Sequence, residues 1–299
     1  MRSDQVQQRR HGIAVVDKAP GWTSHDVVAK ARGILGNKKV GHSGTLDPDA
    51  TGVLLLGVGR ATRLLRFLTA LPKAYTCEIV LGVETSTLDA SGEVVATYDM
   101  GAVTPGDVTA AAQSLTGDII QVPPMVSAVR VGGRRLHQLA RQGKEVERTP
   151  RPVTVYEFSV TPIAESSGVY RAEVVCSSGT YVRSLAADLG RALGGGAHLR
   201  RLRRTRVGSF TETEARPLED LLVLPPAEAV RDYPSVRVSE DVAAAVRHGK
   251  VLNRSDLGLP EVGDGPWAVL GDGPAEIELL AIYEPFRAST VKPTVVLVG

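Results

Sequence analysis

Residues 41 to 60 read GHSGTLDPDATGVLLLGVGR, a polar, glycine-bordered turn that runs straight into an apolar strand. Gly41, Gly44 and Asp47-Pro48 mark the turn, because glycine tolerates positive φ and proline cannot continue a ladder. Val53-Leu54-Leu55-Leu56 is a short apolar run of the kind that forms a buried strand. Asp47 therefore sits on a turn at the edge of a core. Such a turn can hold one carboxylate at a fixed place beside a cleft. An isolated Asp-Pro is more often a turn aspartate bonded to its own backbone, so the surrounding sequence has to decide.

Upstream, IAVVD at 13–17 predicts a strand that opens onto the loop DKAPGWTS at 17–24. Thr23 to Asp26 suits a helix N-cap with a carboxylate in the first turn, and Val27, Val28, Ala31, Ile34 and Leu35 follow at helical spacing up to Gly36. Downstream, Leu64, Leu65 and Leu68 predict a helix between Gly57 and Leu68, with Arg60, Arg63 and Arg66 between them. Tyr75 to Val83 predicts a strand, entered through Lys73-Ala74-Tyr75. TSTLDASG at 85–92 is a turn. Residues 104–117 predict a helix begun by Thr104-Pro105. QVPPMVSA at 121–128, Gly132-Gly133 and a basic helical stretch from Arg134 to Gln142 read as a projecting element. Val153–Val160 and Val169–Cys176 predict strands, the second with Tyr170, Ala172, Val174 and Cys176 on one face. Gly179 then breaks the chain into a helix whose apolar side is Val182, Leu185, Ala186, Leu189 and Leu193. Arg183 lies in its first turn, where a positive charge is locally unfavourable and a buried carboxylate would compensate.

These stretches together resemble the TruB family of tRNA pseudouridine synthases over nearly the whole chain. GHSGTLDPDATGVL meets every fixed position of the family's catalytic loop, G-H-x-G-x-L-D-P-x-A-x-G-x-L. CSSGTYVRSL matches C-S-x-G-T-Y-x-R-x-L in full, and LRRTRVG resembles L-R-R-T-x-V-G. DKAPGWTS resembles D-K-P-x-G-x-T-S with Ala19 in place of a proline, and TSTLDASG resembles T-D-T-x-D-x-x-G with Ser86 in place of an aspartate. The projecting element resembles the insertion that clamps the arm of tRNA, with Val126 and His137 standing where the family usually has tyrosine.

The resemblance implies an α+β chain with the pseudouridine synthase fold: a central mixed or antiparallel sheet flanked by helices, and a thumb-like insertion at about 123–151. It implies a catalytic domain over 1–232 and a small β-rich, PUA-like domain over 233–299. It makes Asp47 the catalytic aspartate, Arg183 its partner, and Tyr75 the ring that lies against the target base. His42 would fill the vacated stack, Leu202 would pack near the target nucleotide, and Tyr181 would hydrogen-bond in the same site. Gly44 and Thr45 of the loop would meet the substrate, and Lys18 would hold the RNA backbone. The implied reaction is isomerisation of a uridine in the T loop of tRNA, position 55, by base flipping, with an accompanying role in tRNA folding. The partner is the tRNA T arm, with no guide RNA, and the enzyme a monomer.

Composition agrees. Hydrophobic residues are 43% and charged residues 23% of 299, the balance of an ordinary globular protein. The net charge of +2 hides two basic clusters, Arg130 to Arg151 and Arg191 to Arg206. Each is either a polyanion footprint or a solvated arginine-rich helix face. Cys77 and Cys176 sit in alternating apolar segments and read as core side chains in a reducing compartment. The polar start MRSDQVQQRR is no signal peptide, and no apolar run nears the ~20 residues of a membrane helix, so the expected location is cytoplasmic. There is no nucleotide loop of the GxxxxGK[ST] kind, no Rossmann fingerprint and no metal-ligand spacing, so no cofactor or metal is expected. Three other readings share the residues: a non-catalytic RNA-binding or chaperone module, a guide-RNA-dependent synthase, and a generic aspartate hydrolase. Intact Asp47, Tyr75 and Arg183 argue against the first, the insertion against the second, and the lack of a second acid with a defined partner against the third.

Overall fold

A computed structural model describes residues 10–125, 130–131, 134–135, 146–273 and 276–297, with 130–131 and 134–135 as backbone. The chain divides into two compact units, and each is described by itself. The first comprises residues 1–48, 52–70 and 207–299, and the second 49–51 and 71–206.

In the first unit, strand β1 (Gly12–Lys18) pairs antiparallel with β3 (Thr51–Val58), Val15 opposite Leu55, and the short β2 (Val40–Ser43) pairs with β3 as well. Val53 to Leu56 are wholly buried, which is why the run is uniformly apolar rather than alternating. Helix α1 (Ser24–Leu35) lies between β1 and β2 in sequence. It starts at a capping box in which Thr23 and Asp26 satisfy each other's backbone N–H, and ends on Gly36 in the left-handed region. The helix expected over 57–68 is shorter and later. Gly57 and Val58 complete β3, a 3₁₀ turn covers Gly59–Leu64, and α2 is Leu65–Ala70.

After the two-residue strand β13 (Phe210–Thr211) come β14 (Ser235–Arg237), β15 (Leu252–Asn253), β16 (Trp267–Asp272), β17 (Ile277–Arg287) and β18 (Thr290–Val296). The last five form the sheet of the carboxy-terminal part of this unit, in the order β14-β16-β17-β18-β15. With the short helix Glu240–Arg247 it encloses a core of Ala243, Val246, Trp267, Leu280, Tyr283 and Val291. This sheet is stitched to the segment after β3. Arg60 and Arg63 donate to the carbonyls of Leu297 and Val296 at 3.2 and 2.5 Å, and Tyr233 donates to Phe67 O at 2.8 Å.

In the second unit, β4 (Lys73–Leu81), β11 (Val169–Cys176), β10 (Arg151–Pro162) and β7 (Gly117–Gln121) form an antiparallel run, with β12 (Ala197–Val207) beside β4. Two helices, α3 (Pro105–Ser114) and α4 (Val182–Ala192), supply Val108, Ala112, Leu185 and Leu189 to a core with Ala172 and Val174. Cys77 and Cys176 belong to that core. Burial pushes their thiols up to about 12 and about 11, out of reach of ordinary chemistry. A hairpin of β5 (Val83–Thr85) and β6 (Val94–Thr97) carries the turn 85–92. Of the helical stretch expected from Arg134 to Gln142, residues 136–142 lie outside the described residues, and so do Val126 and His137. Its first two residues are extended instead: β8 (Arg130–Val131) and β9 (Arg134–Arg135) pair as a two-stranded ribbon.

Helix α3 starts as the sequence predicts, on Thr104 with Pro105 in the first turn. Thr104 Oγ1 accepts Asp107 N–H at 3.2 Å, and Asp107 Oδ2 accepts Thr104 N–H at 2.9 Å. Thr104→Ala is expected to lower the unfolding free energy by about 1 kcal/mol in urea titration, with no change in the denaturant slope. An unchanged midpoint would show that tertiary packing alone holds the helix.

Candidate active site

The peptide groups on both sides of Asp47 are held from one direction. Buried Ser24 donates its hydroxyl to Leu46 O at 3.2 Å and accepts Leu46 N–H at 2.9 Å. Pro48 O accepts Lys18 Nζ at 2.8 Å and Gly21 N–H at 2.9 Å. Leu46, 3% exposed, plugs the loop into the core, while Asp47 is half-buried and Pro48 and Asp49 are exposed. Gly44 turns the chain out of β2 at φ 78°, a conformation that a side chain disfavours. Each of these bonds has its other partner, Lys18, Gly21 or Ser24, in the DKAPGWTS segment, so that segment fixes where the Asp47 backbone stands.

Lys18 was expected at the RNA backbone. It is 1% exposed, and its ammonium donates to Ala19 O at 3.0 Å as well as to Pro48 O. The reason is positional: as the last residue of β1 it points inward under the loop. Ala19, where the family pattern has proline, keeps the loop closed through its carbonyl. His42 is half-buried and meets His25 edge-on, ring centroids 5.3 Å apart. Thr45 is exposed.

In the second unit the chain leaves β11, turns at Gly179 (φ 88°), and enters α4 through an extended Tyr181. Arg183 is 5% exposed. Its guanidinium lies 3.2 Å from Asp89 Oδ2 and donates to Thr87 O at 3.0 Å. Asp89 is itself immobilised. Its Oδ1 accepts from Thr87 Oγ1 at 2.6 Å and from Ser91 N–H at 3.1 Å, and its carbonyl accepts from Thr85 Oγ1 at 2.7 Å. A cation in the first turn of a helix thus has a fixed carboxylate beside it. Asp89 is the aspartate of the TSTLDASG turn at 85–92, which the sequence marks as a turn and not as a partner of Arg183. The signal was the T-x-T-x-D spacing, which ties the aspartate to its own turn and leaves one oxygen facing outward.

Tyr75 lies on β4 opposite Val174, half-buried, and Leu202 lies on β12, also half-buried. Both pack against the core of the second unit. The basic cluster 191–206 is a strand over its second half, not a helix face. Arg200 and Arg201 hold Glu78 at 2.6 and 2.8 Å, with Arg201 in the left-handed region at φ 52°, and Arg204 is 1% exposed. In the other cluster, Arg148 donates to Pro123 O at 3.0 Å. Several of these cations are therefore structural. The expected site residues fall into two groups: Lys18, His42, Gly44, Thr45 and Asp47 in the first unit, and Tyr75, Tyr181, Arg183 and Leu202 in the second.

Residues 32–182 match TruB family pseudouridylate synthase (N terminal domain), and residues 183–229 match tRNA pseudouridylate synthase B C-terminal domain. Among curated relatives, tRNA pseudouridine synthase B of Arthrobacter sp. (strain FB24) is 46% identical over 90% of this chain and 92% of its own length. Its namesake of Rhodococcus jostii (strain RHA1) is 52% identical over 81% of this chain and 82% of its own, and that of Thermobifida fusca (strain YX) 45% over 96% and 99%. Among solved structures, a chain of a Cbf5-Nop10-Gar1 complex superposes with a TM-score of 0.75 at 28% identity, covering 97% of this chain and 85% of that one. An α+β fold with a carboxy-terminal β domain, carrying the Asp47 loop and the Arg183 helix, is that of a pseudouridine synthase. The chain belongs to the TruB family of pseudouridylate synthases, and with it to the isomerases. Among the described residues no helix is long and apolar enough to cross a membrane.

Lys73, two residues before Tyr75, is 5% exposed and donates to Leu71 O at 2.6 Å. Burial, and then the charge of Arg204, lower its pKa from 10.5 to about 8. The unfolded chain therefore holds the extra proton between those values, and stability rises with pH across that window. Below about pH 8 the folded chain carries the full cost of the buried charge. Lys73→Met removes the group, so its stability advantage over wild type should shrink by on the order of 2 kcal/mol from pH 8 to pH 10 in urea unfolding. A difference independent of pH would contradict the depressed pKa.

Proposed function

We propose that the protein converts a uridine in the T loop of tRNA, position 55, to pseudouridine, with Asp47 as the essential carboxylate and no cofactor. The observation that carries this reading is the fixed backbone on either side of Asp47, held by Lys18, Gly21 and Ser24. A reaction that must meet one carbon of an extruded nucleotide needs its carboxylate placed before the substrate arrives. The relatives named tRNA pseudouridine synthase B, at 45–52% identity, support tRNA as the substrate. These relatives are nearer in identity than the solved structure titled as an H/ACA RNP bound to a substrate RNA, which shares 26%.

The chemistry balances without an external reagent. The N1–C1′ bond breaks, the uracil turns, C5 bonds to C1′, and the proton on C5 is lost while N1 gains one. Asp47 either adds covalently or helps remove a sugar proton to give a glycal, and the same side chains serve both routes. Arg183 keeps the carboxylate ionised against desolvation, since a guanidinium stays charged and holds a carboxylate through directed hydrogen bonds. Asp89 and Thr87 O orient that guanidinium. Tyr75 faces the uracil, Tyr181 and Leu202 line the slot, His42 replaces the extruded base in the stack, and Gly44 and Thr45 approach the nucleotide backbone. Extrusion costs a few kcal/mol, offset by binding of the arm. Residues 1–232, with the insertion at about 123–151, form the synthase domain, and 233–299 a PUA-like domain that adds RNA contact. The enzyme acts as a monomer in the cytoplasm and assists tRNA folding.

The test is release of tritium from C5 of uridine in unmodified tRNA. Release without guide RNA is expected, and Asp47→Asn should reduce it by about 10³-fold or more. Arg183→Lys should reduce turnover by about 10²-fold while tRNA affinity stays near wild type. Tight binding with no release would favour the chaperone reading, and release dependent on added guide RNA the guide-dependent one.

A further inference from the structure

Strand β7 ends on Gln121, directly before Val122-Pro123-Pro124 and the insertion. Gln121 is 2% exposed. Its Nε2 donates to Tyr181 O at 3.1 Å, and its Oε1 accepts Tyr181 N–H at 2.7 Å. One buried carboxamide thus grips both peptide groups of the residue that opens α4. Tyr181 has no side-chain cap of its own, so the entry into the helix is set from outside by Gln121. The next residues continue the tie. Val122 O accepts Ser184 Oγ at 3.0 Å, and Pro123 O accepts from Arg148 on the returning leg of the insertion. Arg183 stands between Tyr181 and Ser184, the two residues so held.

We propose that Gln121 is a positioning residue of the isomerisation: by fixing the backbone of Tyr181 it sets the direction in which the Arg183 guanidinium leaves the helix. It also ties that direction to the root of the insertion. A guanidinium is useful to a carboxylate only at the correct distance and in the correct plane. A shift of the Tyr181 backbone would carry Arg183 off Asp89 and Thr87 O together. The proposal rests on the reading of Arg183 as a site residue.

The test uses the full chain and unmodified tRNA. Single-turnover tritium release and filter-binding affinity are measured for wild type, Gln121→Ala, Gln121→Glu and each combined with Arg183→Lys. Gln121→Ala should slow release by about tenfold or more while affinity changes by less than about twofold. Added to Arg183→Lys it should slow release by less than about twofold further, because both act through one guanidinium. Gln121→Glu keeps the volume and the acceptor for Tyr181 N–H. Its introduced carboxyl donates to Tyr181 O when protonated and not when ionised. Its release relative to wild type should therefore fall as pH rises through that titration, a signature that loss of packing does not give. It also carries the test if Gln121→Ala does not fold. Wild-type release in Gln121→Ala, full multiplication of its loss with that of Arg183→Lys, or a Gln121→Glu ratio flat with pH would each overturn the proposal. Full turnover in Arg183→Lys alone would instead remove Arg183 from the site, and that result is read from the single variant.

Discussion

Lys18 donating to Pro48 O inside the first unit is the contact on which the Asp47 loop depends. A buried ammonium is expensive unless oxygen surrounds it, and here carbonyl oxygens of the loop receive it. The arrangement works in both directions. The carbonyls would be costly to bury without donors, and the ammonium would be costly without acceptors. Ser24 does the same for Leu46 with one hydroxyl that both donates and accepts. The loop is thus rigid because its polar backbone is satisfied from beneath, and a half-buried carboxylate can stand at its crest.

The second unit solves a related problem with different means. Arg183 sits where the helix dipole repels it, yet it is almost completely buried. Asp89 makes that tolerable. Its own geometry is fixed by Thr87, Ser91 and Thr85. A carboxylate on a floppy turn would follow the guanidinium; one bonded into its turn dictates where the guanidinium goes. The same logic extends to Gln121, which satisfies the backbone at the start of the helix instead of a cap residue. The hydrogen-bonded turn and the buried carboxamide are parts of one device for holding a cation still.

How much of this could be read from residues alone follows from the range of the interactions. The strands at 13–17, 153–160 and 169–176 were readable because one run of side chains reports one buried face, and so was the one expected over 75–83 as far as Leu81, where Gly82 turns the chain at φ 82° and Val83 opens β5. The caps at Thr23 and Thr104 were readable because the partners lie three residues apart. The 3₁₀ turn at Gly59–Leu64 was not, since apolar spacing alone does not distinguish it from the start of an α-helix. The burial of Lys18 was hidden because its partner is 30 residues away. Glu78 and its arginines are 122 and 123 positions apart, and Gln121 and Tyr181 are 60. Local chemistry is written locally; the acceptors of buried cations are distributed along the chain.

That distribution changes what a basic cluster means. The basic segments 130–151 and 191–206 leave two readings open from sequence, a polyanion footprint or a solvated arginine-rich helix face. In the structure Arg200 and Arg201 neutralise Glu78, Arg204 is enclosed, and Arg148 braces Pro123. A cation enclosed by protein, as Arg204 is, cannot meet phosphate, and a cation paired with a carboxylate brings less net charge to the surface, although Arg201 beside Glu78 stays 74% exposed. Arg60 and Arg63, outside both clusters, are likewise engaged by carbonyls of the carboxy-terminal sheet. Among the described residues arginines serve both carboxylates, as at Glu78 and Asp89, and backbone carbonyls, as at Val296 and Pro123. Counting charge along the sequence therefore overstates the electrostatic reach of the surface, and the positions of the carbonyls and carboxylates that receive those guanidinium groups set the correction.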